Sequence, residues 1–247
     1  MIKEKNMSLL NRKADIGIIG ALKEEVERLI DALEEREILT LGGVEFNYGK
    51  IEGKRVVVAL CGVGKVFAAL CAESMIVGFA PSLIVNTGVG GALASGLKTG
   101  DIVIADKLCQ HDMDTSAIGD PVGLVSGINK VFFEADGAAV KTLTESASEL
   151  GLTATVGTVA SGDKFIASAE DKKRIVDTFA ASACEMEGGA VAHVACVNGV
   201  PFAVIRAISD SADGEATMDY PTFMPTAARN SSALTLSLIK KLTVNVK

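Results

Sequence analysis

Acidic residues fall at three places where a run of branched apolar residues has just ended. Glu24 and Glu25 follow Ile16–Ile19 and Gly20, Glu185 and Glu187 flank Met186 after a short apolar segment, and Asp210 closes the run Val204-Ile205-Arg206-Ala207-Ile208-Ser209. Ligands of parallel sheets bind beyond the carboxyl ends of the strands, so carboxylates at these positions are candidates for a site, although position alone names no reaction. At strand spacing Glu185 and Glu187 point the same way, with Cys184 and Met186 on the opposite face. Two anions held together there are costly unless they bind something. Each acid also has a plainer reading in isolation: Asp210 as the cap of the next segment, and Glu25 as a solvated first-turn glutamate stabilised by the helix dipole.

Glycine turns accompany the acids. Gly62-Val63-Gly64 and Gly88-Val89-Gly90 each miss a dinucleotide fingerprint, with Phe67 and Leu93 where its last glycine belongs, and Gly64-Lys65 is followed by Val66, which rules out a P-loop. Tight strand-to-helix turns explain both as well as ligand contact does. His111 and His193 have no metal-binding spacing; both read as non-catalytic, and His193 as a core or interface residue.

These positions need a scaffold of alternating strands and helices, and the sequence supplies one. Strands are expected at Ile16–Ile19, Val56–Leu60, Leu83–Val85, Ile102–Ala105, Thr153–Val159 and Phe202–Ile208, with a short one leading into Glu185. The stretch Asn86 to Gly91 reads as a glycine-rich turn. Helices are expected after Gly20 (Val26, Leu29, Ile30 and Leu33 on one face) and over Lys65–Val77, Ala138–Leu150, Ser168–Phe179, Gly189–Val197 and Thr226–Leu242. The alternation predicts one α/β domain over residues 15–247, with a central, mostly parallel mixed sheet covered by helices on both faces. Residues 1–14 read as a flexible lead-in, with Met7 as an alternative start to Met1.

The bulk numbers agree and exclude several classes. The chain has 247 residues, 49% of them hydrophobic, only 4% aromatic and none Trp, a composition suited to buried parallel strands. With a formal charge of −7 and no basic cluster, nucleic acid and anionic membranes are poor partners. Five scattered cysteines read as reduced thiols of a cytoplasmic protein. Met75–Leu97 and Gly188–Ile205 reach membrane-spanning length, but each is broken by proline and polar residues and reads as a helix, a turn and a buried strand.

In order and spacing, these segments resemble the bacterial 5′-methylthioadenosine/S-adenosylhomocysteine nucleosidases. The match runs from Ile16-Gly17-Ile18-Ile19-Gly20-Ala21 with Glu24-Glu25, through Gly62-Val63-Gly64-Lys65, Asn86-Thr87-Gly88, Gly100-Asp101-Ile102-Val103 and Ser161-Gly162-Asp163-Lys164-Phe165-Ile166. It ends on Glu185-Met186-Glu187 and Arg206-Ala207-Ile208-Ser209-Asp210. The resemblance implies that Asp210 is the general acid on the purine and that Glu25 activates water. It implies substrate contacts from Glu187 on the ribose hydroxyls, Met186 along the sugar, Phe165 stacked on the base and the Ile166 backbone on its edge. Glu185, Arg206, Ser209, Val89, Val63 and Leu22 complete the implied substrate site. It implies a homodimer, a small nucleoside as substrate, and neither metal nor organic cofactor. The residue types suit an N-ribosyl bond that breaks through an oxocarbenium-like sugar, which needs an acid on the leaving base and a base on water.

Hydrolysis is expected rather than phosphorolysis, because a phosphate nucleophile needs cations and Glu24-Glu25 occupy the place after the first strand. Two departures bear on the 5′ group. Val89 stands where the resembled family carries a serine, and Ile118-Gly119-Asp120-Pro121-Val122 stands where it offers aromatics toward a neighbouring subunit. They keep open a second reading, a nucleosidase for another 5′-modified purine nucleoside of the futalosine type. A third reading is a sensor that keeps the fold without the chemistry, against which the intact Glu25, Glu187 and Asp210 set argues.

Overall fold

The computed structural model describes residues 12–243; residues 1–11, with both candidate start positions, lie outside the described residues. Ala14 is buried and its amide donates to the Phe79 carbonyl at 2.8 Å.

Ten strands form one mixed sheet. The strand β1 (Ile16–Gly20) runs parallel to its two neighbours, β4 (Lys54–Leu60) and β5 (Ile84–Ala92). From β5 the path continues to β10 (Phe202–Asp210), β6 (Ile102–Gln110), β8 (Ala154–Ser161) and β9 (Ala183–Glu185), and β9 pairs back onto β5. Five strands therefore close on themselves, and β1 and β4 extend from the ring as an open wing. Beyond β4 the wing adds an antiparallel hairpin of β3 (Val44–Ile51) and β2 (Glu34–Leu41), while β7 (Phe133–Glu134) lies against β6.

Helices cover both faces, as expected. They are α1 (Lys23–Asp31), α2 (Lys65–Phe79), α3 (Gly137–Glu149), α4 (Ala169–Phe179), α5 (Gly188–Asn198) and α6 (Ala216–Lys241). Alternation along the strands sorts the core in two. Ile16, Ile18, Val56 and Val58 pack with Leu29 of α1, Leu143 of α3 and Leu234 of α6, whereas Ile19, Val57 and Ala59 pack with Met75 of α2 and Val191 of α5. Both uncharged stretches resolve into helix, turn and strand: α2 into β5, and α5 into β10. No helix among the described residues is long and apolar enough to cross a membrane.

Several elements differ from the sequence expectation, among them the short strand β7, which was not expected. The residues Asn86 to Gly91 are not a turn but the second half of β5; glycines are disfavoured in strands, yet here they give way to side chains packed against the backbone. The β2–β3 hairpin has no expected counterpart, because six of the eight β2 residues are exposed and show no apolar alternation. Its Gly42-Gly43 turn, with φ of +59° and +81°, is the one signal that could have revealed it. Finally, α6 starts ten residues earlier than expected and runs through Pro221 and Pro225, which propensity counts against a helix interior.

Candidate active site

The carboxyl ends of β1, β5, β9 and β10 surround a cleft of about 210 Å³. Glu25, at the third position of α1, folds back over the helix start. Its Oε2 accepts the amides of Ala21 (2.8 Å) and Leu22 (2.9 Å), and its Oε1 accepts the Val89 amide of β5 at 3.0 Å. The plainer reading, a solvated first-turn glutamate, does not hold: the carboxylate accepts the N-cap amide of α1 and the amide before it and is out of solvent. Its side chain lines the cleft and is almost fully buried, and burial pushes its pKa up against the opposing pull of Arg206 and the three amides.

Asp210 ends β10 and lines the same cleft. Ser209 Oγ donates to its Oδ2 at 2.8 Å, and the Ala212 amide donates to its Oδ1 at 2.9 Å. It closes a local turn without capping a helix, since α6 begins at Ala216. Burial raises its pKa, with these two hydrogen bonds opposing. A carboxyl that binds its proton more tightly than usual, on the wall of a cleft, is suited to donate it.

Glu185 and Glu187 do not share a strand face, which corrects the expectation from their spacing. β9 stops at Glu185, and Glu187 has turned to φ −132°, ψ −42° as the first residue before α5. The Glu185 carboxylate turns inward, paired with Arg206, hydrogen-bonded by Ser161, and accepting the amides of Glu187 (2.9 Å) and Gly188 (2.6 Å). Burial works against its charge, but Arg206 and these donors hold its pKa below the usual value. Glu187 goes the other way, accepting the Gly64 amide at 2.8 Å. Burial and the neighbouring Glu185 push it up to about 7. Cys184, Glu185, Met186 and Glu187 all reach the cleft lining, so no face separates the acids from their neighbours. Arg206 itself is 1% exposed, behind Glu185, and also donates to Asn86; it is absent from the cleft wall and acts through its partners.

The remaining expected residues meet here. Leu22, Val63, Val89, Phe165, Ile166 and Ser209 all line the cleft. Val89 contributes its amide to Glu25, so the missing serine hydroxyl leaves that contact intact. Sequence reading missed Tyr220, whose ring meets Phe165 edge-to-face at 5.6 Å, and Lys164, whose ammonium pairs with Asp171 at 2.7 Å. Tyr220 sits in the proline-containing start of α6 that was read as non-helical.

Some residues are not brought together. His111 is buried with neither ring nitrogen hydrogen-bonded, and His193 stacks on Phe133 at 5.5 Å, both outside the cleft lining. Asp120 accepts the Thr115 hydroxyl at 2.8 Å, and its loop does not reach this cleft.

A closed ring of strands with an open wing, and buried carboxyl groups gathered at one end of it, place the chain in a known class. The chain belongs to the phosphorylase superfamily, whose profile matches residues 15–240. Within it, the chain is similar to the 5′-methylthioadenosine/S-adenosylhomocysteine nucleosidase of Neisseria meningitidis solved with methylthio-immucillin-A: TM-score 0.89, 36% identity, 92% of this chain and 99% of that one. It is similar to the futalosine hydrolase of Helicobacter pylori strain 26695: TM-score 0.89, 37% identity, 94% and 98%. It is also similar to the S-adenosylhomocysteine nucleosidase of Streptococcus pyogenes solved with 5-methylthiotubericidin: TM-score 0.90, 31% identity, 94% and 98%.

Proposed function

We propose that this protein is a purine nucleosidase that hydrolyses the N-glycosidic bond of 5′-methylthioadenosine and S-adenosylhomocysteine, releasing adenine and the 5′-thioribose sugar. The observation that carries the reading is the pairing of Glu25 and Asp210, two buried carboxyls with raised proton affinity on one cleft. Asp210 delivers a proton to the leaving purine, with Ser209 orienting it. Glu25 draws a proton from the attacking water. Glu187 accepts hydrogen bonds from the ribose hydroxyls, Met186 lies along the sugar, and Phe165 stacks on the base whose edge the Ile166 backbone reads. Val63 and Leu22 close the apolar walls, and Glu185 with Arg206 supports the segment from behind. The acids also stabilise positive charge developing on the sugar.

Water as nucleophile is supported by the cations around the cleft, which are engaged: Lys164 with Asp171, Lys65 with Asp112, and Arg206 with Glu185. The test is release of free adenine from both nucleosides, with a reducing sugar as co-product. A purified protein that binds the nucleosides without cleaving them would leave only the sensor reading.

A nucleosidase for a futalosine-type nucleoside is the second reading, favoured by Val89 on the cleft wall and by the similarity to the Helicobacter enzyme. A panel of 5′-substituted purine nucleosides ranked by kcat/KM separates the two. We further propose that the protein works as a homodimer in the cytoplasm, in a methionine-salvage role. One face carries Val66 (80% exposed), Phe67, Leu70 and Val77 on α2 beside Val197 on α5, an apolar surface of the kind that partners cover. The mass in solution, measured by light scattering, tests it.

A further inference from the structure

Two segments that reach the cleft from different strands are joined outside it, by charged side chains that the proposed chemistry does not use. One is the loop after β8, which carries Gly162 to Ile166; the other is the turn after β4, which carries Cys61 to Gly64. Asp163 sits between them. Its Oδ1 accepts the backbone amide of Lys65 at 2.8 Å, next in sequence to the Gly64 amide that donates to Glu187. Its own amide donates to Asp112 Oδ2 at 2.9 Å, and Asp112 Oδ1 accepts from the Lys65 ammonium at 2.5 Å. Lys65 is thus gripped at both ends, by Asp163 on its backbone and by Asp112 on its side chain. The amides of Gly64 and Lys65 open α2, where helix donors lack internal partners, and two carboxylates from different loops take them in succession. The approach is close: a β-carbon on Gly64 would stand 3.1 Å from Asp163 Oδ1, and its φ of +101° suits glycine.

Two residues beyond Asp163 comes Phe165, and one before Lys65 comes the residue that holds Glu187. On the proposed nucleosidase reading, which this inference rests on, Phe165 and Ile166 face the purine and Glu187 faces the sugar. We infer that Asp163 is a positioning residue, locking the purine-facing loop to the turn that fixes Glu187 so that base and sugar are held by one rigid frame. Without it the two walls are free to move independently, and affinity for both halves of the substrate falls. Asp163 is exposed, so its replacement leaves the core untouched.

The experiment compares Asp163→Ala and Asp163→Asn with the parent. Adenine and 5-methylthioribose binding are each titrated calorimetrically, beside kcat and KM for 5′-methylthioadenosine and the thermal midpoint. One lost hydrogen bond of the typical net strength corresponds to about a twofold to tenfold change. The alanine variant is expected to bind both products about fivefold more weakly, at a midpoint within a few degrees of the parent. The asparagine variant keeps an oxygen for the Lys65 amide and is expected to recover to within about twofold. If the alanine variant does not fold, Asp163→Glu takes its place, since its extra methylene displaces the carboxylate. Unchanged binding, weakening confined to one product, or an asparagine variant as impaired as alanine overturns the inference. A parent that releases no adenine sinks the nucleosidase reading instead, and the binding measurements still decide Asp163.

Discussion

The carboxylate of Glu25 lies directly against the α-carbon of Gly88. A β-carbon at Gly88 would stand 2.5 Å from Glu25 Oε1 and 2.9 Å from its Cδ. Gly88 lies in the regular strand β5, so alanine meets no backbone strain there, only the carboxylate. Gly88→Ala is therefore expected to push Glu25 out of register with the Val89 amide and lower kcat by about a hundredfold or more. Overpacking of this kind costs about 1–3 kcal/mol. Steady-state rates and a denaturation curve on the same sample check both figures, and an unchanged kcat would remove Glu25 from the chemistry.

Asp210→Asn keeps the shape of the side chain and its bond to the Ala212 amide, but an amide has no proton to give a leaving purine. Base release should fall about 10²- to 10⁴-fold while circular dichroism stays that of the parent. Turnover within a few-fold of the parent would mean that another group supplies the proton.

Glu25→Gln meets a different obstacle. The carboxylate accepts from three backbone amides, and the glutamine NH₂ must face at least one of these donors. Hydrolysis is expected to disappear while the nucleoside still binds, as measured by titration calorimetry with the intact substrate. For the parent, added phosphate should leave the rate unchanged; a ribose 1-phosphate product detected by phosphorus NMR would turn the enzyme into a phosphorylase.

The acids and their order along the chain were legible because each follows a strand whose apolar run is unmistakable. Glu25, Glu187 and Asp210 were found this way, Met186 and Phe165 only through the family resemblance, and all five line one cleft. What stayed hidden depends on contacts between distant segments. The inward turn of Glu185 toward Arg206 cannot be read from a two-residue spacing, since it requires the strand to end at that residue. Tyr220 was masked by Pro221 and Pro225, which argue locally against the helix that long-range packing of α6 against β5 and β10 sustains. The strand character of Asn86 to Gly91 was hidden for the converse reason, because glycines signal turns locally but make room here for Glu25 and Asp210.

Glu187 is expected to tie pH to both binding and stability, in opposite senses. Its pKa is pushed from 4.5 up to about 7, so the fold favours its protonated form. That contribution to stability is complete below the unfolded value near 4.5 and is lost as pH rises through about 7. Glu25 and Asp210 are shifted in the same direction. The urea midpoint should therefore decline between pH 5 and 8, and Glu187→Gln should flatten part of that decline. Nucleoside affinity should rise over the same interval, because the ionised carboxylate is the better acceptor for ribose hydroxyls. A midpoint that rises with pH contradicts the assignment.

Arg206 compensates a carboxylate that is almost completely buried. Arg206→Met leaves Glu185 charged and buried, and breaking a pair in this way typically costs about 3–5 kcal/mol. The double variant Arg206→Met, Glu185→Gln should recover much of that stability in chemical denaturation, which distinguishes charge imbalance from simple loss of packing.

Glu25 is fixed by main-chain amides alone, those of Ala21, Leu22 and Val89. Peptide N–H groups are supplied by any residue except proline, so drift in the sequence at these positions leaves the grip on the carboxylate unaltered. The side chains of the same three residues nevertheless form part of the cleft wall. Evolution can therefore reshape that wall one residue at a time while the backbone grip on Glu25 is inherited unchanged. Enzymes with different named substrates, related to this chain at similar identity, are what such a division of labour between backbone and side chain would leave behind.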